Sequence, residues 1–188
     1  MYTLCTTEKT ALQQKQFEQV FLQMLLESDY DTITISDLCR KAGLSRKIFY
    51  RLFEKKADVL YSVIDHALLE SASYIPDESV KPGELHRFFA FWKSQKDLLD
   101  ALFKHQNSHL LTDRAIRHIF RENSDIIHTF GGDCGAFGQE TILFYISGIF
   151  SVVLSWHAQG YRHSIDEMSD LLMELLTTTP VKNAQLKL

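Results

Sequence analysis

The sequence predicts an all-α fold, in which a three-helix N-terminal head is joined through a fourth helix to a larger helical bundle. Three observations carry that prediction. Apolar residues recur at steps of three, four and seven along nearly all of the 188 residues, the spacing that gathers side chains on one helix face. No stretch shows the apolar–polar alternation of a half-buried strand. Pro76, Pro82 and Gly83 interrupt the helical pattern, so residues 75–83 read as the junction between a head with its connecting helix, 1–74, and a body, 75–188.

In the first helix, about Glu8 to Ser28, Phe17, Phe21, Met24 and Leu25 share a face. Asp29 follows where the chain must turn, and Asp tolerates left-handed backbone better than most residues. Thr34-Ile35-Ser36-Asp37 is a helix start, with a hydroxyl at the N-cap and a carboxylate three residues on; this second helix should run to Ala42. Gly43 is then a left-handed C-cap, Leu44 plugs the turn, and Ser45 caps a short helix from Arg46 to about Phe53. Two helices so closely spaced form an angled pair, a helix-turn-helix. Phe49 and Phe53, four apart, are its inward face and should pack on Leu38 and the first helix.

A fourth helix from about Lys55 to Ser73 presents Val59, Leu60, Val63, Ile64, Ala67 and Leu68 as a stripe. In the body Leu85, Phe88, Phe89 and Trp92 form one face, Leu98, Leu99, Leu102 and Phe103 a second, and Ile116, Ile119, Phe120 and Ile127 a third. Gly131, Gly132, Gly135 and Gly138 mark a loop. Two helices, about Gln139–Gln159 and Asp166–Thr178, complete the pattern.

The net charge of -4 is unevenly spread. Between positions 40 and 56 stand seven basic residues, Arg40, Lys41, Arg46, Lys47, Arg51, Lys55 and Lys56, against the single acid Glu54, a +6 segment on a remainder of -10. A local cationic patch is what phosphate binding needs, and an acidic remainder limits indiscriminate attachment to DNA. In a helix-turn-helix the second helix enters the major groove with its first residues facing the bases. Arg46 and Lys47 stand there, and a good bidentate contact from such a donor to guanine gives about 1–3 kcal/mol of discrimination. Tyr50 and Arg51, one turn further, are placed for flanking phosphates.

The stretch TITISDLCRKAGLSRKIFYRLFEKKADVL resembles the DNA-binding signature of the tetracycline-repressor (TetR) family. The resemblance spans about residues 8–70 and rests on the Thr34 start, the Ala42-Gly43 turn, the Phe49-Tyr50 pair, Phe53 and the basic residues after it. It implies that Arg46 and Lys47 approach bases and that Thr34, Tyr50 and Lys56 lie along the phosphates of double-stranded operator DNA; Ser45, Arg51 and Lys55, in the same cationic segment, are expected to join them. It also implies a homodimer whose last two helices pair with those of a second subunit, and a body that encloses a small-molecule effector. There are departures from the family pattern. Ile48 stands where threonine is frequent, Cys39 and Phe21 replace alanine, and Asp29 replaces glycine.

The body gives its own support for pairing. Met168, Leu171, Leu172, Leu175 and Leu176 recur at three and four, while Ser147, Ser151 and Ser155 form a small-residue line beside Gly148 that permits close helix approach. Residues 141–161 carry no Asp, Glu, Lys or Arg and approach membrane-spanning length, but the serines, Gly148, His157 and Gln159 favour a helix buried in a core or subunit interface over a membrane span. His105 and His109, four apart, could place two imidazoles on one helix face as a metal site requires; with no third ligand fixed by spacing, no metal or other cofactor is expected. Three dispersed cysteines, Cys5, Cys39 and Cys134, suit a reducing cytoplasm, and the N-terminus has no secretory signal pattern. No nucleophile elbow, phosphate-binding loop, dinucleotide fingerprint or His-Glu-x-x-His occurs, so the chain is expected not to be an enzyme.

Overall fold

The computed structural model describes residues 7–74, 82–122 and 138–178, which are helical throughout apart from turns and caps. The elements are α1 (Glu8–Glu27), a single 3-10 turn (Tyr30–Thr32), α2 (Ile35–Lys41), α3 (Arg46–Leu52), α4 (Lys56–Ala72), α5 (Pro82–Ser94), α6 (Lys96–Lys104), α7 (His109–Glu122), α8 (Gly138–Ala158) and α9 (Ile165–Thr178). They form two compact units. The first holds the chain through Leu68 together with Lys96–Arg114; the second holds Leu69–Gln95 and the chain from Ala115 on.

The first unit is built on aromatic edges. Phe17 of α1 meets Phe49 of α3 at 5.5 Å and 90°, and Phe53 at 6.1 Å and 81°. All three, with Phe21 and Leu38, are fully buried. Edge-to-face geometry sets the positive rim of one ring on the negative face of the next, worth about 0.5–1.5 kcal/mol per pair beyond burial. The inward role expected of Phe49 and Phe53 is therefore observed.

Residues 96–114 pack with this unit although the sequence separates them from it. The Lys104 ammonium donates to the carbonyls of Leu25 at 3.1 Å and Leu26 at 2.7 Å, and Nε2 of His105 donates to that of Leu25 at 2.8 Å. A cation there satisfies orphan carbonyls and opposes the negative end of the α1 dipole. Arg114 forms an ion pair with Asp65 of α4 and lies over the Tyr61 ring. The junction expected at 75–83 falls largely outside the described residues.

Two expectations about chain direction are corrected. Asp29 is not left-handed; at φ -72° and ψ 139° it is extended, because its carbonyl accepts the amide of Thr32 at 3.1 Å and the Thr32 hydroxyl at 2.8 Å to start the 3-10 turn. His105 and His109 do not share a helix face. The amide of Asn107 reaches the Leu102 carbonyl at 2.8 Å and that of Gln106, at φ 56°, reaches Phe103 at 3.1 Å, a left-handed cap that ends α6 before α7 opens at His109. Among the described residues no group of three metal-ligating side chains occurs.

In the second unit α5 packs against α8 and α9. Leu85, Phe88, Phe89 and Trp92 are buried together, as the periodicity predicts, with Trp92 edge-on to Phe150 at 5.5 Å and 90°. The Trp92 indole N–H has no hydrogen-bond partner among the described residues, an unmade bond that aromatic packing has to outweigh. α8 is long and apolar enough by composition to cross a membrane. Only one face of it is core. Ile142, Phe150, Val153 and Trp156 are buried, while Leu143, Phe144, Gly148, Ser151 and Ser155 are exposed.

Candidate nucleic-acid interface

The pair α2–α3 is fixed by its own ends. The Thr34 hydroxyl accepts the amide of Asp37 at 3.1 Å and donates to its carboxylate at 2.7 Å, closing the start of α2. At the other end the Gly43 amide bonds the Arg40 carbonyl at 3.2 Å and the Leu44 amide bonds that of Cys39 at 3.0 Å, with Gly43 at φ 63°. These are the two bonds of a Schellman cap, and they demand the left-handed backbone that glycine supplies without strain. Ser45 then accepts the Ile48 amide at 3.3 Å and opens α3. From α1, Gln16 donates to the Ala42 carbonyl at 2.6 Å, so the first helix braces the turn itself.

That frame presents α3 with one side sealed and the other open. Phe49 and Leu52 face the core, while Arg46, Lys47, Tyr50 and Arg51 are exposed. Tyr50, a large ring left half-exposed on this side, lies beneath Arg46, whose guanidinium donates to the Tyr50 hydroxyl at 3.3 Å and to Ser36 at 3.4 Å. These are long, solvent-exposed contacts. They hold the guanidinium at the mouth of the α2–α3 pair and cost little to exchange for other contacts. Lys47 is exposed, and Ile48 beside it is half-buried.

The remaining basic residues differ in how far their charge is already used. Arg51 is tied to α1 through a 2.6 Å bond to Gln13 yet stays exposed. The Lys55 side chain is exposed, and its backbone amide, with that of Glu54, is received by the buried Asp58 carboxylate at 3.2 and 3.0 Å. Lys56 is engaged inside the unit. Its ammonium donates to the carbonyls of Tyr30 at 2.5 Å and Ile33 at 2.9 Å, and sits 4.2 Å from the centre of the Tyr30 ring. It pins the turn that delivers Thr34. Sequence spacing does not disclose this, because the partners are backbone carbonyls more than twenty residues away.

The residues expected at a subunit interface divide in the same manner. Leu171 and Leu175 of α9 are exposed, 43% and 46%, and on α8 Ser147 is half-buried while Gly148, Ser151 and Ser155 are open. Met168 and Leu172 are buried within the second unit. Phe144, 68% exposed, extends the open line on α8 at the same helical spacing, a large apolar residue that the small-residue reading passed over.

No protein-family model and no curated protein matches this chain. Among solved structures, one described as "Dihydroxyacetone kinase operon activator DhaS" is similar over 88% of this chain and 94% of that chain, with a TM-score of 0.60 and 15% sequence identity. At that identity the likeness is one of fold: the chain shares an all-helical architecture with a transcription regulator.

Proposed function

We propose that this chain is a TetR-like, DNA-binding transcriptional regulator that acts in the cytoplasm as a homodimer on a near-palindromic operator. The observation that carries the reading is α3 itself, capped by Ser45, sealed by Phe49 on one side, and open on the other at Arg46, Lys47 and Tyr50. Arg46 and Lys47 read base edges. Thr34, Ser45, Tyr50, Arg51 and Lys55 follow the phosphates, and Lys56 serves the same contact by holding the residues before α2. Two heads related by two-fold symmetry would meet half-sites about one helical turn, or ~10 base pairs, apart.

Repression relieved by a small-molecule effector is the family's usual output and the first reading of the sign. Activation on the same scaffold is the second, favoured by the activator named among the structures of like fold. A helical ligand-binding protein without DNA function would not require an outward row of Arg46, Lys47 and Tyr50, and neither would an enzyme.

Fluorescence anisotropy with fragments of the chain's own promoter region tests the proposal. Binding should weaken steeply with salt, and Arg46→Ala should lose the preference for specific over random fragments. Salt-independent binding, or unchanged selectivity in Arg46→Ala, would remove the reading.

A further inference from the structure

Between α1 and α4, away from the DNA-facing side chains, lies a chain of polar groups that the regulator reading does not use. Gln14 donates from Nε2 to the Ser62 hydroxyl at 2.8 Å, Ser62 donates to the Glu18 carboxylate, and Nδ1 of His66 lies 3.0 Å from both oxygens of that carboxylate. Gln14, Glu18 and Ser62 are buried; the His66 side chain is 44% exposed and reaches solvent. Ser62 and His66 converge on one carboxylate, and Gln14 supports it through Ser62. A charge in such a place is costly unless it is paired and hydrogen-bonded, and His66 is the member that can bring a positive charge or withhold it.

We propose that Gln14, Ser62, Glu18 and His66 form a proton-operated latch that sets how firmly α1 is held on α4. With imidazolium at His66 the contact is a charge-assisted hydrogen bond. With neutral imidazole the hydrogen bond to the carboxylate remains, but the attraction between opposite charges is lost. The same helix α1 carries Phe17, which seats Phe49 and Phe53, and Gln16, which braces Ala42, so the latch tunes the rigidity of the α2–α3 pair.

Other charges facing the site set its working range. The hydrogen bond to Glu18 raises the His66 pKa above the ordinary histidine value; partial burial opposes this, the charges of Glu18 and Asp65 assist it, and Lys15 opposes it. Asp65 is itself paired with Arg114 of α7, so its help is muted. A histidine raised in the folded state adds stability that is fully present below its unfolded pKa, near 6.5, and is lost as pH rises through the elevated value. The latch therefore closes as pH falls below the elevated value and loosens as pH rises through it.

The consequence for operator affinity rests on the DNA-binding reading; the latch itself does not. In the full-length protein, the His66 imidazole should titrate by NMR above pH 6.5, and in Glu18→Gln its titration should fall below the wild-type value. His66→Asn keeps a donor near the Nδ1 position but cannot titrate. It should lose the part of the thermal-stability change between pH 6 and pH 9 that wild type shows. With the promoter fragment, wild-type affinity should drop several-fold over that range at constant salt, and His66→Asn should lack most of the drop. Titration of His66 at or below 6.5, or a Glu18→Gln titration unchanged from wild type, would overturn the latch. A latch confirmed by NMR, with operator affinity whose pH profile is the same in His66→Asn, would overturn its coupling to DNA. Absence of DNA binding at every pH would reject the regulator reading together with that coupling, while the NMR result would still decide the latch.

Discussion

Arg46, Lys47, Lys55 and Lys56 carry the same charge in different surroundings, and those surroundings separate what their removal should do. The Lys55 ammonium is exposed, so Lys55→Ala should leave stability within about 0.5 kcal/mol of wild type while lowering the salt slope of DNA binding by about one phosphate contact. Lys56→Ala removes the ammonium from the Ile33 carbonyl and from that of Tyr30, which keeps only the Ile33 amide at 3.3 Å; this should cost about 1–3 kcal/mol in urea unfolding and weaken all DNA sequences evenly through the loosened turn. Its salt slope should stay close to wild type, because the ammonium is occupied within the protein. If Lys56→Ala unfolds at the wild-type midpoint and lowers the salt slope by one, Lys56 is a direct phosphate ligand and its engagement with the turn carries no energy. The charge count in residues 40–56 makes the patch legible in sequence. It does not make this division legible, since charge is written locally and the partners of Lys56 are not.

At the scale of the element, what decides α2 and α3 is almost wholly local, and that is why their sequence reads so clearly. Thr34, Gly43 and Ser45 each act within three or four residues of themselves, through bonds observed at 3.1, 3.0–3.2 and 3.3 Å. Thr34→Ala should therefore cost about 1 kcal/mol, the usual worth of an N-cap. For Gly43→Ala the added methyl would meet nothing within 4 Å, so the cost is the left-handed backbone alone, about 1–2 kcal/mol. Chemical denaturation of both variants checks the pair; a neutral Gly43→Ala would mean that the turn relaxes to another geometry. Where ends are set by less specific residues the reading fails. Gln106 closes α6 in a left-handed conformation that glycine or asparagine ordinarily signals, and this leaves His105 in the turn after α6 while His109 opens α7. Asp29 likewise keeps extended backbone because the Thr32 contacts outweigh its tolerance for the left-handed region.

For the molecule as a whole, the outstanding question is what covers the open faces of α8 and α9. Periodicity locates both helices but cannot separate an apolar residue buried in its own chain from one held for a second subunit, since both follow the same spacing. Burial separates them. Leu172 and Met168 belong to the core of the second unit, whereas Leu171 and Leu175 of α9 and Phe144 of α8 are exposed apolar residues, and Gly148, Ser151 and Ser155 on α8 leave room for a partner helix to approach closely. If a second copy covers that area, charging it should dissociate the protein without unfolding it. Leu171→Glu combined with Leu175→Glu should sediment as a monomer while keeping the wild-type helical circular dichroism, and should lose affinity for a two-half-site fragment far more than for a single half-site. Leu172→Ala, one residue from Leu171 but inward, should instead cost about 2–5 kcal/mol in unfolding of the second unit. A wild-type chain that sediments as a monomer, or a doubly charged variant that stays dimeric, would place the subunit contact elsewhere and take the palindromic operator prediction with it, because only a two-fold pair of heads requires one.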